Sequence, residues 1–153
     1  MKIITGEVDS GKSTRFLCSY NEALNQTIAL CSCKLYDSKG AIVGYDLVLL
    51  PHKVRLPFII LKECVDIADN YYSQGRFAFS KEAFIAADRY VQSFPNSTPL
   101  WIDEVGKLEL KGLGYDSLLR NAQKDLREIV IVVRTNLLCE VIDNYSIKDY
   151  ELL

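Results

Sequence analysis

The sequence lacks an excess of positive charge, a Cys-x-x-Cys pair, an apolar run long enough to cross a bilayer, and the segments of a signal peptide. Each absence removes a class of protein. Eighteen Lys and Arg against twenty Asp and Glu leave a formal charge of −2, and the cations are scattered, so no basic stripe exists to track a nucleic-acid backbone. Nucleic acid is therefore not an expected partner. The five cysteines, Cys18, Cys31, Cys33, Cys64 and Cys139, are odd in number and wrongly spaced for a disulfide framework or a zinc site. Reduced thiols are expected, with Cys31 and Cys33 as small core residues on one face of a strand. The start, Met-Lys-Ile-Ile-Thr-Gly, has neither the charged region nor the apolar stretch of a secretory leader, and no membrane span is expected. These readings together predict a soluble, cytoplasmic protein; a monomer is the expected state, although nothing in the sequence sets it. The one histidine, His52, follows Pro51 in a loop and reads as a surface or hinge residue rather than a catalytic one.

What is present fits one globular domain over residues 1–153, with 49% hydrophobic and 25% charged residues and no repeat, low-complexity tract or linker. Ile3 to Thr5 read as a buried strand, followed by a glycine loop and a helix from Lys12 to about Leu24, with apolar residues at Phe16, Leu17, Tyr20 and Leu24. The runs TIALCSCKLY and AIVGYDLVLL flank Asp37-Ser38-Lys39-Gly40 and predict a hairpin. A third run, VRLPFIILKE, carries Pro57, which assigns it to an edge or an irregular stretch. Arg76 to Phe79 is strand-like, Ser80 is a candidate N-cap, and Phe84, Ala87, Tyr90 and Val91 form the stripe of a helix that stops before Pro95. A strand from Leu100 to Val105, a helix from Asp116 to Leu126 and a β-branched run from Glu128 to Val133 complete the pattern. The prediction is an α/β fold, a mostly parallel sheet flanked by helices with an antiparallel hairpin insertion.

Gly6-Glu7-Val8-Asp9-Ser10-Gly11-Lys12-Ser13 has the spacing of a phosphate-binding loop, placed between a strand and a helix as that chemistry requires. Consecutive backbone N–H groups and the positive end of the helix dipole then converge on one spot, where an anion is stabilised. Gly6 and Gly11 let the main chain approach closely, Lys12 reaches the β- and γ-phosphates, and the Ser13 hydroxyl ligates magnesium; Thr14 closes the set of nucleotide-binding candidates. Glu7 and Asp9 are unusual in such a loop. Their carboxylates either point to water or restrict nucleotide binding by repulsion.

The acidic end of Leu100-Trp101-Ile102-Asp103-Glu104 resembles a Walker B element: Asp103 would hold magnesium and Glu104 would orient the attacking water. Both can serve one site only where the strand ends, and Gly106 is the expected break. The first loop together with Asp103-Glu104-Val105-Gly106-Lys107-Leu108-Glu109-Leu110 resembles the thermophile and cancer-related nucleoside-triphosphatase family. Gly75-Arg76-Phe77-Ala78-Phe79 before a helix is similar to that family's layout too. The resemblance implies a RecA-like P-loop fold and magnesium-dependent, base-tolerant hydrolysis of nucleoside triphosphates, with Lys12 and Ser13 on phosphate and metal and Asp103 and Glu104 on metal and water. Lys107 and Glu109, inside the distinctive motif, are accessory candidates; Lys107 faces the phosphates or pairs with a carboxylate. Arg134, with Thr135 and Asn136, stands where a γ-phosphate sensor or an ordinary strand-ending polar cluster would be. Cys31-Ser32-Cys33-Lys34-Leu35-Tyr36 departs from the family's pattern. A small-molecule kinase and a regulatory nucleotide-binding module are the alternatives; dispersed arginines, with no lid cluster to exclude water, favour hydrolysis.

Overall fold

The computed structural model describes residues 1–23, 26–67 and 69–153. Leu24, at the end of the predicted first helix, lies outside the described residues. Strand β1 (Lys2–Gly6) buries Ile3 and Ile4 completely on opposite faces and leads through the glycine loop into α1 (Lys12–Glu22). The predicted hairpin forms from β2 (Ile28–Tyr36) and β3 (Ile42–Leu50). Its turn is held by the Asp37 carboxylate, which accepts from the N–H groups of Lys39 and Ala41, while Gly40 adopts a left-handed φ of 79°.

Strand β4 (Val54–Leu61) pairs with β3 on one side, and Pro57 lies opposite Asp46 beside a shift in register. On its other side β4 is paired only from Ile59 to Leu61, so the missing N–H of Pro57 breaks no second ladder. The partner there is β6 (Phe77–Ser80), itself joined in a tight hairpin to β5 (Tyr71–Gln74), a strand that the sequence reading did not contain. Ser80 caps α2 (Lys81–Gln92) by accepting from the Ala83 N–H at 3.2 Å.

Strand β7 (Leu100–Ile102) is shorter than the predicted run to Val105. The chain leaves it at Asp103, whose N–H donates to Leu30 C=O, so the break precedes Gly106 instead of depending on it. Helix α3 (Asp116–Lys124), β8 (Ile129–Arg134), α4 (Leu138–Asn144) and β9 (Glu151–Leu152) follow. The last two were not read from the sequence, although Leu138, Val141 and Ile142 have helical spacing.

The described strands form one mixed sheet in the order β5-β6-β4-β3-β2-β7-β8-β1-β9. From β2 to β9 the neighbours run parallel, and from β2 to β5 they alternate. The hairpin insertion is thus an antiparallel extension of the parallel sheet. One face is covered by α1, where Phe16, fully buried, meets Trp101 edge-on at 5.5 Å above Ile4, Ala29, Cys31, Val130 and Val132. The other face holds the larger core, with Phe84 and Ala87 of α2 and Leu118 and Leu119 of α3 packed over Ile3, Leu30, Ile102 and Ile131. Anchoring α1 in this way fixes the loop that precedes it.

Candidate active site

The loop between β1 and α1 is built by two left-handed residues, Asp9 at φ 57° and Gly11 at φ 80°, the second serving as the N-cap of α1 without a side-chain cap. The N–H groups of the first helical turn therefore remain available to an anion. Lys12 is the first residue of that turn and is only 6% exposed, with its amine donating to the Glu7 carbonyl at 2.6 Å across the loop. A cation is thus held over the ring of loop amides.

Sheet order brings β7 to within one strand of β1, with β8 between them. Consequently residues 90 positions apart meet: the Ser13 hydroxyl donates to Asp103 Oδ1 at 3.3 Å. Asp103 is 3% exposed, and burial pushes its carboxyl up to about 6 even though Ser13 and the nearby Lys12 pull the other way. A buried carboxylate beside a hydroxyl, with no ion pair among the described residues, is a hard-oxygen donor pair that fits a magnesium ion retaining most of its water. Glu104, next in sequence, turns to the end of β8, where it accepts from Arg134 Nε at 2.7 Å. Residues 8–14, Asp103, Glu104, Lys107, Glu109 and Arg134 line one cleft of about 1020 Å³. Gly6 and Glu7 do not reach its wall.

Comparison with known proteins decides what this arrangement belongs to. A family model described as NTPase matches residues 2–152. The chain belongs to that NTPase family. It is an enzyme of the nucleoside-triphosphate-hydrolysing class. Among solved structures it is similar to a human cancer-related nucleoside triphosphatase, with a TM-score of 0.72 at 18% identity, over 99% of this chain and 86% of the other. It is also similar to THEP1 from the hyperthermophile Aquifex aeolicus, with a TM-score of 0.69 at 17% identity, over 99% and 87% of the two chains. These likenesses establish the P-loop α/β fold. No curated protein matches the chain.

Within the NTPase the two loop acids part company. Glu7 is exposed and off the cleft wall, whereas Asp9 forms an ion pair at 2.8 Å with Lys34 of β2, and that ammonium holds its carboxyl below the usual range. Because Asp9 is neutralised by a strand outside the loop, its repulsion toward a triphosphate is weakened. Glu109 lines the cleft but is tied into the turn after β7. It is 4% exposed, accepts from the N–H groups of Gly106 at 2.8 Å and Tyr115 at 3.0 Å, and burial pushes its carboxyl up to about 7. Its position is that of a clamp on the turn after β7. Lys107 is exposed on the cleft wall and, among the described residues, forms no ion pair. His52 stacks on Phe94 at 5.6 Å and meets the Tyr90 hydroxyl at 3.1 Å, far from the loop in the fold, as a surface residue.

The sequence reading missed Ser32 and Lys34 as site residues. Their signal was the period-2 alternation of β2: Ser32, Lys34 and Tyr36 line the cleft, while Cys31 is buried beneath α1 with its thiol pushed up to about 12. Ser32 donates to the Asp103 carbonyl at 2.9 Å and so steadies the turn that carries both acids. The stretch that departs from the family's pattern is a wall of the site.

Proposed function

We propose that the cleft binds a magnesium nucleoside triphosphate by its phosphates and hydrolyses the bond between the β- and γ-phosphates. The observation that carries this reading is the convergence of Ser13 and Asp103 beside Lys12 at the start of α1. Lys12 exchanges the Glu7 carbonyl for the β- and γ-phosphate oxygens, and the N–H groups of residues 11–14, at the start of α1, meet the β-phosphate. Ser13 and Asp103 would hold magnesium, which would offset the negative charge of the phosphate oxygens. Glu104 accepts a hydrogen bond from the attacking water and aims it at the γ-phosphorus. Arg134 turns from Glu104 to the γ-oxygens, which frees the carboxylate only when triphosphate is present. The water oxygen bonds to the γ-phosphorus, the bridging P–O bond breaks, the nucleoside diphosphate leaves with the bridging oxygen, inorganic phosphate forms, and the proton passes by way of Glu104 to solvent.

The test is phosphate release from ATP, GTP, CTP and UTP with magnesium and no acceptor. Turnover of several of these by the wild type, lost in Lys12→Ala and without magnesium, is the expected result. Nucleoside diphosphate formed only after a hydroxyl acceptor is added, with the phosphoryl group on the acceptor and none released as phosphate, would make the enzyme a kinase and contradict the proposal.

A further inference from the structure

The cleft continues well past the phosphate loop, and its far half has a chemistry that phosphate binding does not use. Beyond β2, where the sheet turns antiparallel, β3, β5 and β6 contribute Tyr45, Gln74 and Phe77, and the turn before β6 contributes Arg76. Tyr45 and Phe77 meet edge to face at 5.9 Å, and the Arg76 guanidinium lies 4.9 Å from the Phe77 ring centre. The inner wall is Tyr115, 2% exposed and packed against Phe84 with ring centres 4.7 Å apart.

Two polar atoms in this half are buried without a hydrogen-bond partner: Gln74 Oε1 and the Tyr115 hydroxyl. Burying an unpartnered polar group costs about 1–3 kcal/mol, so two in one cleft point to a ligand that satisfies them. Burial holds the Tyr115 phenol protonated, so it has a hydrogen to donate, whereas Gln74 Oε1 can only accept. The complement of such a wall is a planar ring whose edge carries both an acceptor and a donor and whose face lies on aromatic side chains. A nucleobase has that combination.

This half does not face the base of the bound triphosphate. In the triphosphate reading Glu104 and Arg134 attend the attacking water and the γ-oxygens, so the γ end lies toward the ends of β7 and β8. Strands β3, β4 and β6 lie farther in the same direction, past β2, while β1 and its loop lie the other way. Resting on the triphosphate reading above, we propose that the NTPase has a second ligand site on the γ-phosphate side of the cleft, formed by Tyr45, Gln74, Arg76, Phe77 and Tyr115, which takes a nucleoside.

Adenosine, guanosine, cytidine and uridine are titrated calorimetrically into the protein alone and into protein saturated with magnesium and a β,γ-imido triphosphate. At least one nucleoside binds the saturated protein. Tyr115→Phe, which keeps the ring and deletes the orphaned hydroxyl, weakens that binding about tenfold, the effect of one buried hydrogen bond. Arg76→Ala, at an exposed turn, weakens it too, and both variants keep imido-triphosphate affinity within about twofold. Nucleoside binding that vanishes on saturation would assign this half to the triphosphate's own base and overturn the proposal. So would the absence of binding by all four nucleosides, or equal losses for both ligands in Tyr115→Phe. Failure of the triphosphate reading is seen separately, as absence of imido-triphosphate binding to a protein that still binds nucleoside.

Discussion

Glu104 and Arg134 form an ion pair of 2.7 Å at the mouth of the cleft, both partly exposed, and the two side chains have opposite parts in the proposed reaction. Solvent screens such a pair, so its separation costs little. Glu104→Gln keeps size and hydrogen bonding but removes the charge that orients water. Single-turnover hydrolysis is expected to fall by about 10²–10⁴ with triphosphate affinity within a few-fold of wild type. Arg134→Gln is expected to weaken triphosphate binding and slow hydrolysis together, because it removes a charge that stabilises the γ-phosphate before and during transfer. Fluorescence titration with a labelled triphosphate and rapid-quench phosphate release separate the two patterns. Wild-type hydrolysis by Glu104→Gln would move water activation to another group.

At the scale of elements, the turn after β7 is set by a buried carboxylate instead of by backbone pairing alone. Glu109 uses one oxygen for the Gly106 N–H and the other for the Tyr115 N–H. Its carboxyl titrates at about 7 in the fold and near 4.5 in the unfolded chain. Below 4.5 both states hold the proton; between 4.5 and 7 the unfolded chain releases it first, so stability falls as pH rises through this window and then levels off. The loss attributable to Glu109 is of order 1–3 kcal/mol. Asp103, raised to about 6, adds a change of the same sign. Glu109→Gln can still accept one of the two N–H bonds but sets its NH₂ against the other, so the variant is less stable at pH 5 by about 1–3 kcal/mol. Its stability then declines less than that of the wild type up to pH 7.5. Urea unfolding at the two pH values checks this, and parallel declines in both proteins would contradict the assignment. The sequence marked Glu109 by motif, but its burial, and hence its structural role, depended on how the turn folds back on Tyr115.

The whole molecule shows which features were legible and which were not. The glycine loop, the hairpin turn at Asp37 and the Ser80 cap are local chemistry, and each stands where its residues point. Strand β9 has two residues and no pattern of its own; it exists because the edge of β1 accepts it. Strand β5, YYSQ, has strand-forming tyrosines but little alternation, and it is defined by pairing with β6. The far half of the cleft was hidden for the same reason, since Tyr45, Phe77 and Tyr115 come from separate elements and meet only through long-range pairing. The meeting of Ser13 with Asp103 also depends on sheet order, and the proposed reaction rests on it. The most direct test is a double-mutant cycle of Ser13→Ala and Asp103→Asn, reading kcat/KM for magnesium-dependent hydrolysis. If both side chains serve one metal site, each single variant loses about 10²-fold or more, and the double variant loses scarcely more than the worse single, a coupling of at least about 1–3 kcal/mol. Independent, multiplying losses would show that the two residues act apart and would contradict the shared site.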